Sequence, residues 1–373
     1  MSPGATTKRR GRARDFLAAI VAAAVMSTCD GPTYSLGDQC LLSGTGEDLQ
    51  AAIDAGSNVV LCQRALFTLS RPLVLRPGLR LETVHRPTAA GNMATIMLGA
   101  SFTGTDAGIV SAGSDIQIAN VRFDGNRRAL GVHDLIQMVL IGNGTAYKVT
   151  GCSFTEAPGW THLHLIEPCS NAEIVGNTVE SAVRPHDAGR HDVDGLSISC
   201  AQSRIEDNQI FDISGVGIVY FGGAGTTIRG NAVTLSMGGA VSGINVGDAA
   251  VADHTGVVIE KNRITTIGSG YFHIGIAAGL LPWPNKSKMI RGVTIRDNDI
   301  AVMARYGLTV DGCIDCVVQD NNLDGWRSLA AAAGCPASTA YVASVGNGQA
   351  GGTLQPGYID ANVAGCLGAP VAQ

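Results

Sequence analysis

Ile174-Val175-Gly176-Asn177-Thr178-Val179 reads as two short apolar strands hinged at an asparagine. The pattern is Ile or Val, two residues, a slot that is usually Asn, one residue, then an apolar residue. It recurs around Asn208, Asn231, Asn262, Asn298 and Asn321, and Val121 and Cys152 fill the slot in two earlier copies. The gaps between successive slots are 31, 25, 31, 23, 31, 36 and 23 residues. Periods of about 20–50 residues are the mark of stacked repeat units. The segments are rich in Ile, Val and Thr and alternate with period two, as strands do. Asn tolerates left-handed backbone better than most non-glycine residues, so an Asn between strands is expected to make a sharp bend. Stacked Asn side chains can also hydrogen-bond along the column.

Each unit carries a further strand. These are Asp194-Gly195-Leu196-Ser197-Ile198, Val216-Gly217-Ile218-Val219-Tyr220, Ser242-Gly243-Ile244-Asn245-Val246, Ile274-Gly275-Ile276-Ala277 and Tyr306-Gly307-Leu308-Thr309-Val310. The shortest gap, 23 residues, holds two or three strands and tight bends. It has no room for a crossover helix, since a βα unit needs about 30 residues. The Leu-x-x-Leu-x-Leu pattern of leucine-rich repeats is absent. The expected fold is all-β: a single-stranded parallel β-helix, right-handed because parallel crossovers take that hand in about 98% of cases. The longer gaps are rungs with inserted loops, where function tends to sit.

With these features the chain resembles the right-handed β-helix (pectin-lyase-like) superfamily over residues 46–325. Asp48-Leu49-Gln50-Ala51-Ala52-Ile53-Asp54 looks like the N-terminal capping helix that plugs the first rung there, leading into Val59-Val60-Leu61 and Leu73-Val74-Leu75. Residues Val193 to Cys200 and Gly217 to Gly222 resemble a subgroup of secreted bacterial and fungal β-helix proteins of unassigned activity. The resemblance implies the fold and leaves the reaction open, because one fold hosts many chemistries. The Arg-x-Pro-x-x-Arg stretch of pectate lyases is missing, as are the Asp-Asp and Gly-His-Gly stretches of polygalacturonases.

Composition narrows the context. Residues 1–27 read as an export signal: Lys8, Arg9, Arg10, Arg12 and Arg14 precede an apolar run from Phe16 to Met26 that is too short to span a bilayer. Cys29 is a poor lipidation site with Thr28 before it, so plain secretion is expected. Removal of the signal leaves 21 basic and 30 acidic residues, a formal charge of −9. That argues against a nucleic-acid partner, which needs a basic footprint. No segment reads as a membrane helix, and a monomer is expected. The organisation read from sequence is a signal (1–27), an N-terminal cap with the first rungs (28–115), β-helix repeats (116–325), and a C-terminal cap and tail (326–373). Export permits disulfides. Cys169 and Cys200 follow equivalent strands of successive rungs, about 4.8 Å apart, which suits a disulfide. Cys40–Cys62 and Cys335–Cys366 are plausible cap staples. Cys152 reads as a buried thiol, and Cys313-x-x-Cys316 lacks the second pair of a zinc site.

Charged residues make up 15% of the chain, so the cluster from Arg184 to Asp194 stands out. Its Asp192, Asp194, His191 and Arg190 are candidate catalytic groups, as acid, base or charge-neutralising cation. Asp187 and Asp192 are candidate Ca²⁺ ligands, and Ca²⁺ is the one cofactor the sequence raises. Asp192 and Asp194, two apart on a strand, fall near the separation of an inverting glycosidase pair, about 6.5–9.5 Å. Yet Asp194 shares the parity of the inward Leu196 and Ile198. It therefore lies at a bend or is a buried Asp holding backbone N–H groups. One rung earlier, alternation places His162 and His164 together on the outer face, with Trp160 beside them for sugar stacking. The two imidazoles are candidate catalytic groups as well. Ser197 and Asn245 lie at outward positions that suit a shallow sugar groove, and Arg127, from an upstream cluster with Arg122, Asp124, His133 and Asp134, is a candidate substrate contact. The bland readings are a solvated loop, a packing Trp, and glycines 195, 217, 243, 275 and 307 acting only as bends. The expected function is a secreted polysaccharide lyase or glycoside hydrolase; the alternative is a non-catalytic glycan-binding or structural β-helix.

Overall fold

The computed structural model describes residues 40–111, 113–133, 136–180, 192–247, 253–279, 289–331, 334–344 and 352–361. Residues 1–39, which include the signal and Cys29, lie outside the described residues. So do Asp134, Asp187, Arg190, His191, residues 283–286 and Cys366.

The strands form three sheets of ten, twelve and twelve strands, paired in parallel. One rung shows the path. Thr161–Ser170 lies in the first sheet, Glu173–Val175 in the second and Thr178–Glu180 in the third. The chain then returns to the first sheet as Asp194–Ile198, with Leu196 beside Leu163. Helix α1 (Gly46–Ala55) closes the N-terminal end, capped by Thr45 and Asp48 in a reciprocal capping box. Its Leu49 and Ile53 are buried on the first rung, as expected of a plug. Each fully buried Leu or Ile contributes roughly 1.5–3 kcal/mol, so the interior stacks of like side chains are the main stabilising term.

The asparagines form a buried ladder. Asn177 Nδ2 donates to Asn208 Oδ1 (2.9 Å) and to the Val149 carbonyl (2.9 Å), and the Asn177 backbone N–H also reaches Asn208 Oδ1 (3.0 Å). The same triad repeats through Asn231, Asn262 and Asn298. Asn321 ends the column against Gln355 Oε1 (2.9 Å). The bend is made one residue earlier than expected. Left-handed φ falls on Gly151, Gly176, Asp207, Gly230, Lys261, Asp297 and Asp320, each just before the slot. The Asn side chain is used for hydrogen bonding, not for backbone freedom.

The glycine column lies within strands and has no room for a side chain. None of the five has left-handed φ. A Cβ on Gly195 would strike the Gly217 carbonyl and Ile210, and one on Gly217 would strike the Gly243 carbonyl and Val233. Ile210 and Val233 belong to the core, so these glycines face inward, next to the inward Leu196 and Ile218. Two successive inward positions break the alternation. The residue before each glycine is thereby turned to the outer side of the first sheet.

Disulfides Cys40–Cys62 and Cys169–Cys200 are present, with Cα separations of 5.0 and 4.5 Å. Cys313 and Cys316 are also joined, a bond that their spacing did not lead one to expect. Cys335 is disulfide-bonded. Cys152 is a buried free thiol, and burial pushes its pKa up to about 12.

Candidate functional site on the outer side of the first sheet

The break at Gly195 decides where Asp194 points. Its carboxylate Oδ2 lies 3.3 Å from Ser197 Oγ, and Ser197 Oγ lies 2.9 Å from Thr161 Oγ1 on the neighbouring rung. Oδ1 accepts the Val216 backbone N–H at 2.7 Å. Asp194 is thus the buried alternative, 7% exposed, and it holds a backbone N–H of the next rung. Burial raises its pKa to about 7; the nearby charge of the exposed Asp192 adds to this, while the bonds from Val216 and Ser197 oppose it.

The two histidines do not share an exposed face. His162 falls at the register of the glycine column and is fully buried, with Nδ1 2.9 Å from the Asp194 carbonyl oxygen. Burial lowers its pKa to about 4. His164 is 8% exposed and stands beside Ser197 in register. Its Nδ1 lies 2.6 Å from Gln137 Oε1 one rung below. Donation by Nδ1 to that oxygen leaves Nε2 with its lone pair. Burial holds the ring neutral, with a pKa of about 4. Trp160 packs edge-on against it at 4.9 Å and Phe221 at 6.0 Å. Trp160 therefore walls the imidazole instead of offering an open platform.

Arg127 is 6% exposed and donates from Nη1 to the Ala157 carbonyl (3.3 Å); its charge reaches His162. It is a buried neighbour of the site and not a surface substrate contact. Arg122 and Asp124 of the upstream cluster pair with each other, and the neighbouring Arg128 pairs with Glu156. His133 lines a separate shallow hollow with Phe102, Val132 and Ile136.

Ser197 and Asn245 do lie in one outward column, with Val219 between them and Ala277 and Thr309 beyond. All five are buried, so the column is not the open groove expected. Toward the C-terminal end, Ile274, Ala277, Tyr306 and Val342 form a cluster separate from the main core, against which Cys335 and Ala361 pack. Tyr306 Oη donates to the Pro336 carbonyl (3.1 Å). The C-terminal segment thus folds over that end of the sheet.

The structure brings together Thr161, His164, Asp194 and Ser197 over two adjacent rungs. Gln137, Thr161 and Phe221 were not named as site residues from sequence. Counting register back one rung leads from His164 to Leu140, and Gln137 lies opposite Thr161, so only the side-chain geometry pairs Gln137 with His164. Among the described residues, no group of three His, Cys, Asp or Glu side chains gathers as a metal site.

A family model described as a right handed beta helix region matches residues 90–264. Among solved structures, the endo-xylogalacturonan hydrolase of Aspergillus tubingensis superposes with a TM-score of 0.53 at 9% identity, covering 89% of this chain and 99% of that one. The A-module of the Azotobacter vinelandii mannuronan C-5 epimerase AlgE6 gives 0.51 at 16% identity, covering 80% and 82%. No curated protein matches the chain. At these identities the likeness is one of fold. The chain has a right-handed parallel β-helix fold.

Proposed function

We propose that this chain is an exported enzyme acting on a polysaccharide, with Asp194 as the proton donor and His164 as the base. The observation that carries the reading is the convergence of His164, Ser197, Thr161 and Asp194 across two rungs. A carboxyl that keeps its proton near neutrality and, on the adjacent strand, an imidazole that stays unprotonated give the division of roles that acid–base cleavage of a glycosidic bond requires. Ser197 and Thr161 extend a hydrogen-bonded relay from the carboxyl. Gln137 fixes the ring of His164, and Trp160 and Phe221 keep water from it. Asp192, His191 and Arg190 stay candidates from the adjoining loop, and Ca²⁺ at Asp187 and Asp192 stays an expectation to be tested by chelation. The two similar structures carry polysaccharide activities in their names, a hydrolase and an epimerase, which supports the substrate class. Disulfides within the described residues fit an oxidising compartment. No described helix is long and apolar enough to cross a membrane. The burial of the outer side favours a second reading, a non-catalytic glycan binder.

Residues 28–373 assayed on acidic and neutral polysaccharides, with and without Ca²⁺, test the proposal. New ultraviolet absorbance marks elimination, and reducing ends without absorbance mark hydrolysis. Either signal should fall at least about 100-fold in Asp194→Asn, the loss expected for removal of a general acid. Silence from folded protein across the panel leaves the binder.

A further inference from the structure

Two rungs above the Asp194–Ser197 pair, Ser242 and Asn245 occupy the same two register positions. In the lower rung the pair is satisfied internally. In the upper rung it is not: Ser242 Oγ and both amide atoms of Asn245 are sealed from solvent and have no hydrogen-bond partner. A buried polar group left unpaired costs about 1–3 kcal/mol. Three such atoms on two neighbouring side chains need a physical reason. Around them the outward positions are apolar, Val216 and Val219 on one side, Ile274 and Ala277 on the other. An amide offering a donor and an acceptor, a hydroxyl beside it and flanking aliphatic surface suit the hydroxyls and ring face of a sugar. The separation from Ser197, two rungs or roughly 9.6 Å, is comparable with two sugar rings. None of the outward residues from Thr161 to Thr309 in these two columns is Lys or Arg. Arg127, beside His162, and Arg305, next to Tyr306 in the chain, are both buried.

We propose that Ser242 and Asn245 form a subsite for the hydroxyls of an uncharged sugar unit, so that the glycan taken by this protein is neutral. The inference rests on the polysaccharide reading above and narrows it. Both residues are 0% exposed, so occupancy requires the outer side of the sheet to open there.

Calorimetric titration of residues 28–373 with xylohexaose, cellohexaose, mannohexaose and hexagalacturonate tests it, alongside Ser242→Ala and Asn245→Leu. The expected result is binding of a neutral hexasaccharide and not of hexagalacturonate, with Kd raised about 5- to 150-fold in Asn245→Leu. Without sugar, Asn245→Leu should melt at or above the wild-type temperature, because an apolar side chain of similar shape leaves no orphaned atoms. A lower melting temperature with unchanged sugar affinity would overturn the subsite, since the amide would then be a structural group paired with internal water. Binding of hexagalacturonate alone would overturn neutrality and leave the polysaccharide reading standing. No binding of any hexasaccharide would remove that reading itself.

Discussion

Replacing Asp194 by Asn removes a titration while keeping the shape of the side chain. The amide oxygen still accepts the Val216 N–H, and the amide nitrogen can donate to Ser197 Oγ. In the folded chain the carboxyl ionises near pH 7, against 3.8 as its ordinary value. Holding the proton from 3.8 up to about 7 is worth roughly 4 kcal/mol. The sign follows from proton counts. Between about pH 4 and 7 the unfolded chain has lost a proton that the native state still holds, so the unfolded state gains on the native as pH rises. The stability tied to the neutral carboxyl is complete below about pH 4 and gone above about pH 7. Between pH 5 and 8 the loss is roughly 2–3 kcal/mol. The carboxamide of the variant does not titrate, so Asp194→Asn should gain that amount relative to wild type over the same interval. His162 and His164 act in the opposite direction, losing stability as pH falls below about 6.5 toward 4, but they are common to both chains and cancel in the difference. Urea midpoints measured at about pH 5, 6, 7 and 8, compared at equal slope, give the result. A difference that is flat with pH, or that drifts in favour of Asp194, would refute the assignment of a protonated carboxyl and with it the proton donor.

The ladder should be sensitive at its centre. Asn231→Ala takes the shared acceptor from the Asn208 N–H and side-chain amide and empties a buried site, and a loss of roughly 3–5 kcal/mol is expected in chemical denaturation; a loss under about 1 kcal/mol would mean the ladder is decorative. Gly217→Ala should cost about 1–3 kcal/mol, since its Cβ meets the Gly243 carbonyl and Val233; a neutral melting temperature would show that the column is slack. The Cys152 thiol should resist iodoacetamide at about pH 8 in the native state and react once denaturant is added, as mass spectrometry of the alkylated peptide will show.

The slots from Val121 to Asn321 could be counted without coordinates because a β-helix writes its period into the chain: each rung repeats the bend at the slot, and the interior of each strand repeats the same small set of residues. The capping helix, the Cys169–Cys200 bond and the Asn ladder follow from that period and from local chemistry. Ser197 and Asn245 could be set in one column for the same reason. The left-handed residue was misplaced by one, because Asn is tolerated at such a bend but is worth more where its amide can bridge rungs.

Alternation along an ideal strand is a local rule, and it turned His162 outward with His164 and Asp194 inward with Leu196. Packing of Gly195 against Ile210 and the Gly217 carbonyl reversed the facing of Asp194, and His162 lies buried against the Asp194 carbonyl oxygen. That crowding comes from residues far along the chain or on other rungs. Gln137, which orients His164, is likewise 27 residues away, and the C-terminal segment that covers Tyr306 is 30 residues away. The sequence by itself determined the repeat, the bends and the column in which polar residues stand. Only the tertiary structure decided which way those residues face and that they are closed to water, because facing and burial are set by contacts between rungs and not along them.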